Sequence, residues 1–178
     1  MQIVFYPTHF KKHKAIAPTL PAPYLNGQDT GVLRNIPYGL RDVGNVGCGP
    51  LALYNAMVYV GKKPDLPRIL RYMELTSTFP FALFGTFPYS MGYCLRHFGV
   101  KNKMTWSRKK LAKAECGIIA FWTKRPIFGG GHFVFYARDE YGRYKCYNRY
   151  SNIDTPVTYD TLDELLKPWH LIVGYVIR

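Results

Sequence analysis

The chain has 178 residues, 48% of them hydrophobic and 16% aromatic, enough for one sizeable core but not for two independent domains of ordinary size. Its 24 Lys and Arg against 11 Asp and Glu give a formal charge of +13, which favours an anionic partner, yet no basic run exceeds three residues and the bland reading is a solvated basic surface. No stretch approaches the ~18 apolar residues of a membrane span, and the short apolar start is broken by Pro7, so neither a membrane segment nor an export signal is expected and a cytoplasmic location follows.

Residues 1–38 hold five of the thirteen prolines and predict an extended N-terminal arm with little regular structure. Gly44-Asn45-Val46-Gly47-Cys48-Gly49-Pro50 then leads into an apolar helix predicted over 50–60 and ended by Gly61. Pro50 suits the first helical turn, where a missing N–H leaves nothing unpaired. Leu51, Leu53, Tyr54, Met57, Val58 and Val60 cover more than one face, which predicts a buried central helix. Asn55 in its middle reads as a buried hydrogen bond to a neighbouring loop. Cys48 falls at or just before the N-cap, where free N–H groups and the positive dipole end favour a thiolate.

A second helix is predicted over 67–75 with Asp65 as N-cap, and a third over 90–98, ended by Gly99. An unusually aromatic loop, 79–89, lies between them, and a short basic helix is expected over 109–114. Strands follow over 117–123, 132–137, 143–147 and 170–177, with a short helix over 161–167 before the last. Helices first and a mostly antiparallel sheet second predict an α+β fold in one domain, 1–178. Its parts are the arm (1–38), a helical half (39–115) and a β half (116–178), with the active cleft between the halves.

Cys48 needs a base, and His132 is the other glycine-flanked ionisable residue of the right type, opening a strand after Gly129-Gly130-Gly131. Residues 139–143 read as a hairpin turn, so Asn148, sixteen residues after His132, can return alongside it. Asn152 and Asp154 lie close enough to compete for the same place. The remaining candidates are weaker. Cys94 and His97 have no second tight ligand pair, so no metal site is expected, and the four cysteines read as free thiols. His9, His13 and His170 read as surface or edge residues.

The Cys48-Gly49-Pro50 helix start with Ala52-Leu53, followed by Gly131-His132-Phe133-Val134 on a strand and Asn148 after the next, resembles the papain-like cysteine peptidases. Within them it is similar to the branch of bacteriocin-processing, double-glycine-leader peptidases and their stand-alone relatives. The resemblance implies a papain-like fold, a bacterial thiol hydrolase and a peptide substrate cleaved through a thioacyl intermediate, without a cofactor. It implies Cys48 as nucleophile, His132 as base and Asn148 as the residue that orients the ring.

One position departs from that pattern. The family places an oxyanion-hole glutamine six residues before the cysteine, where this chain has Asp42, which cannot donate to a developing oxyanion. Gln2 and Gln28 are the remaining glutamines, both far upstream, so the expected donors are Asn45 and the Cys48 backbone N–H. The same departure motivates an alternative, a catalytically impaired papain-like module or an acyltransferase. A third reading, RNA binding, rests on the glycine-aromatic strand 130–136 and the basic charge, but half of that signature's positions do not match, so nucleic acid is not the expected partner.

Overall fold

The computed structural model describes residues 6–16, 23–77, 85–123 and 130–178. Its elements in chain order begin with α1 (Tyr6–Ile16), the two-residue strands β1 (Pro37–Tyr38) and β2 (Arg41–Asp42), and α2 (Val43–Val46). Then come α3 (Cys48–Tyr59), α4 (Leu66–Thr76), a 3₁₀ turn at Pro88–Ser90, α5 (Met91–His97), β3 (Asn102–Thr105) and α6 (Arg108–Ala112). The last part holds β4 (Cys116–Trp122), β5 (Gly131–Arg138), β6 (Tyr144–Tyr147), β7 (Val157–Tyr159), α7 (Leu162–Leu166) and β8 (His170–Ile177).

Six strands form one sheet in the order β3-β8-β4-β5-β6-β7, every neighbouring pair antiparallel. The period of two sorts each strand onto two buried faces. Cys116, Ile118 and Ala120 of β4, Phe133 and Phe135 of β5, and Val173 and Tyr175 of β8 meet α3, α4 and α5. Ile119, Phe121, Val134 and Tyr136 face the other way, onto Leu111 of α6 and Leu162, Leu165 and Leu166 of α7. The architecture is therefore α+β, and α3 is its central helix, buried along nearly its whole length.

The helices start where their capping residues stand. Asp65 accepts from the Arg68 N–H at the start of α4, with Pro67 in the first turn, and Thr161 does the same for Glu164 in α7. Asn55 is fully buried in α3 and pairs like a strand residue: it accepts from the Leu25 N–H and donates to the Leu25 carbonyl, both at 2.8 Å. That pair ties the segment before β1 to the central helix, the loop bond its position implies.

The expectations for the N-terminal arm, for His13 and for two strands need correction. The N-terminal arm contains a helix, α1, and His13 within it is buried, donating from Nε2 to the Pro37 carbonyl at 2.6 Å. Contacts with the body hold this helix where proline content predicts none. The aromatic strand at 130–136 buries Phe133, Phe135 and Tyr136, so it presents no stacking platform of the kind an RNA-recognition sheet uses. The short strands β3, mostly polar, and β7, three residues long, were not predicted; each is completed by pairing, with β8 and β6 respectively. Most of the aromatic loop predicted over 79–89 lies outside the described residues, as does Gly129.

Candidate active site

Cys48 is the first residue of α3, one position inside the helix, because Gly47 takes the N-cap. The approach is tight. A Cβ on Gly49 would lie 2.2 Å from Thr86 Oγ1 and 2.6 Å from its Cβ, so the turn after the cysteine admits glycine alone without displacement. The sulfur is buried, and the backbone N–H groups of Phe133, Gly49 and Cys48 itself face it. Burial pushes the thiol up from its ordinary value, and those N–H groups, Phe133's foremost, draw it part of the way back.

The Phe133 contact brings the Cys48 sulfur to the residue of β5 that follows His132. That strand outruns its neighbour. β6 pairs with Phe135 to Arg138, and Gly131 to Val134 continue past its end. The chain leaving β6 turns at once through Asn148, a non-glycine residue at φ 57°. The turn aims the Asn148 backbone carbonyl at the imidazole, 2.6 Å from His132 Nε2.

A backbone carbonyl only accepts, so Nε2 carries the proton and Nδ1 holds the free lone pair. The ring also packs edge-on to Phe121, with centroids 5.6 Å apart. Burial pushes His132 down to about 4; the Asn148 carbonyl opposes this and the Arg149 charge adds to it. The cysteine and histidine thus rest as thiol and imidazole. Burial at both groups acts against the thiolate that the helix-start position favours.

Asn148 is brought to His132, but by its main chain. Its side chain accepts from the Gln28 N–H (3.1 Å) and donates to Gln28 Oε1 (3.0 Å), while its own N–H donates to Asn26 Oδ1. Gln28 in turn donates to the Gly44 carbonyl at 2.9 Å. The buried Gln28 therefore links the segment before Cys48 to the turn that holds His132, a role 120 residues of separation conceal. Asn152 and Asp154, the competing candidates, are exposed.

The Asp42 carboxylate is engaged within its own turn. It caps α2 by accepting from the Asn45 N–H, and both its oxygens accept from Asn45 Nδ2, at 2.9 and 3.0 Å. The amide expected to serve as the neutral donor is thus held by the carboxylate. Elsewhere the thiols of Cys116 and Cys146 are pushed up to about 12 by burial. Cys94 faces Ser77 in the core while His97 is exposed and stacks on Tyr72, 3.7 Å between centroids. Among the described residues no three His, Cys, Asp or Glu gather as a metal site, and no helix is long and apolar enough to cross a membrane.

Neither a protein-family profile nor a curated protein sequence matches the chain. Solved structures do. The fold is similar to that of the peptidase domain of Streptococcus ComA, a bi-functional ABC transporter involved in a quorum sensing pathway, with TM-score 0.54 and 10% identity over 73% of this chain and 89% of that one. It is also similar to a double glycine motif protease from an AMS/PCAT transporter, solved with its leader peptide, with TM-score 0.50 and 15% identity over 73% and 82% of the two chains. At these identities the likeness is one of fold, the α+β fold that these peptidase domains share.

Proposed function

We propose that the protein is a thiol-dependent hydrolase, a cysteine peptidase whose working groups are Cys48, His132 and Asn148. The observation that carries this reading is the His132 ring, held through Nε2–H by the Asn148 carbonyl beside a strand residue whose N–H reaches the Cys48 sulfur. In that arrangement Nδ1 takes the thiol proton as the sulfur attacks a peptide carbonyl. Collapse of the tetrahedral adduct breaks the C–N bond, the leaving amine takes the proton from Nδ1, and water then hydrolyses the thioester with Nδ1 as base. The Cys48 N–H is the proposed oxyanion donor, joined by Asn45 once Asp42 releases its amide.

The proposed substrate is a peptide, as in the leader-peptide complex of the double glycine motif protease, and the basic surface suits an acidic one. No cofactor enters the scheme. Four unpaired cysteines suit a reducing compartment, so the proposed location is the cytoplasm. The test is incubation with a proteome-derived peptide library and mass-spectrometric reading of new termini, beside Cys48→Ala and His132→Ala. Cleavage lost in both variants supports the reading. Wild-type protein that neither cleaves peptides nor forms a thiohemiacetal with peptide aldehydes overturns it.

The engagement of Asn45 by Asp42 specifically favours one second reading, an acyltransferase or hydrolytically impaired module of the same fold. A Cys48 acyl adduct that accumulates and passes to an added amine, without release to water, would select it.

A further inference from the structure

Immediately after Asn148 the chain buries an arginine. Arg149 is 3% exposed, and its guanidinium carbon lies over Trp169, 3.5 Å from the ring centre. Phe121, Tyr150 and Tyr159 stand around it at 5.2 to 5.8 Å. Nη2 donates to the Lys167 carbonyl at 3.0 Å, whereas Nε and Nη1 are buried without a hydrogen-bond partner. None of the ion pairs among the described residues includes it. The ring faces stabilise the cation, but no carboxylate among the described residues pairs with it.

A charge left uncompensated in a low-dielectric interior acts on its neighbours, and the neighbour that matters is His132. Phe121 touches both groups, the imidazole edge-on and the guanidinium at 5.3 Å. Asn148, whose carbonyl holds the imidazole, is the residue bonded to Arg149. Of what the structure brings to His132, β4 offers the neutral Phe121 ring and Asn148 a carbonyl. Among the described residues, Arg149 is the charged group that acts on the imidazole.

We propose that Arg149 is a positioning residue for His132: a fixed, buried positive charge that, added to burial, disfavours a second proton on the ring, while the Asn148 carbonyl keeps the first on Nε2 and leaves Nδ1 open to receive the thiol proton. Arg149 touches neither sulfur nor substrate in this scheme and acts through the ring. Its consequence for turnover rests on His132 being the base of the proposed hydrolase, while the electrostatic effect exists with or without hydrolysis. That separates the two tests.

The experiment is an NMR titration of the full chain with isotope-labelled histidine, the His132 signal assigned by its loss in His132→Ala. The wild-type ring should stay neutral, in the Nε2–H tautomer, well below pH 6. Arg149→Met, which keeps an apolar stem against Trp169, should move the His132 midpoint up by roughly one pH unit. Arg149→Lys, which restores the charge, should return it toward wild type. The acid limb of Cys48 alkylation by iodoacetamide should move with the ring in each variant. An unchanged midpoint in a natively folded Arg149→Met overturns the proposal, as does an equal shift in Arg149→Lys, which would assign the effect to packing. Should Arg149→Met fail to fold, Arg149→Gln takes its place. A wild-type midpoint at or above 6.5 overturns the proposal without any variant.

Discussion

Removing the Asn148 side chain separates two ways in which that residue could serve the site. In the structure the side chain bonds Gln28 and the main chain holds His132. Asn148→Gly leaves the Gln28 N–H and Oε1 buried without partners, about 1–3 kcal/mol each, so the loss in unfolding free energy should be about 2–6 kcal/mol. That is a large part of the 5–15 kcal/mol typical of a domain. Asn148→Ala should lose about 1 kcal/mol more, because φ 57° is free of strain for glycine and strained for alanine. Urea denaturation followed by circular dichroism measures both. Iodoacetamide labelling of Cys48 across pH, under conditions where the variants remain folded, then reads the site. The Asn148→Gly profile should lie closer to wild type than to His132→Ala, since the carbonyl acceptor survives. A folded Asn148→Gly that labels like His132→Ala, or that matches wild-type stability, refutes the reasoning.

Asn55→Ala should lower stability by about 2–5 kcal/mol, because both backbone groups of Leu25 lose their partner inside the core; thermal unfolding tests this, and a change under 1 kcal/mol would contradict the pairing. Gly49→Ala should destabilise by about 1–3 kcal/mol and slow Cys48 labelling, as the new Cβ meets Thr86, and Thr86→Gly in the same chain should recover part of both. Acid should destabilise the fold through His132, whose pKa is about 4 when folded against 6.5 for the free side chain. The unfolded chain takes up a proton in that window and the folded chain does not. The contribution is therefore complete above about pH 6.5 and fades as pH falls toward 4, by roughly 3 kcal/mol in all. A stability–pH curve whose slope there is the same in His132→Ala would remove the assignment.

The sequence carried the elements whose signals are local. Asp65 with Pro67, Thr161 and the apolar stripe of α3 mark helices that lie within a residue or two of their predicted bounds. The β-branched and aromatic runs of β4, β5 and β8 mark strands buried on both faces. What the sequence hid depends on tertiary contact. α1 sits among prolines, β3 is mostly polar, β7 is three residues long, and Gln28 meets Gly44 and Asn148 across long separations. The charge state of the site was hidden for a related reason. A helix N-terminus is visible in Gly47-Cys48-Gly49-Pro50, but the desolvation that outweighs it is supplied by the sheet packed against it.

That charge state changes how the proposed chemistry must run. An ionised pair would hold a nucleophile ready before substrate arrives, whereas a thiol raised by burial and an imidazole lowered by burial and by Arg149 hold none. Proton transfer to Nδ1 must then accompany attack, when the developing oxyanion and the N–H groups around the sulfur compensate the new charges. The cost of resting neutral is a slower reaction with any electrophile that lacks an oxyanion to stabilise. The arrangement depends on one feature of topology: β5 runs past β6, which leaves Phe133 to reach the sulfur and lets Asn148 turn its carbonyl onto the ring. Had β6 continued in register, its ladder would have occupied that edge of β5, and neither contact could form.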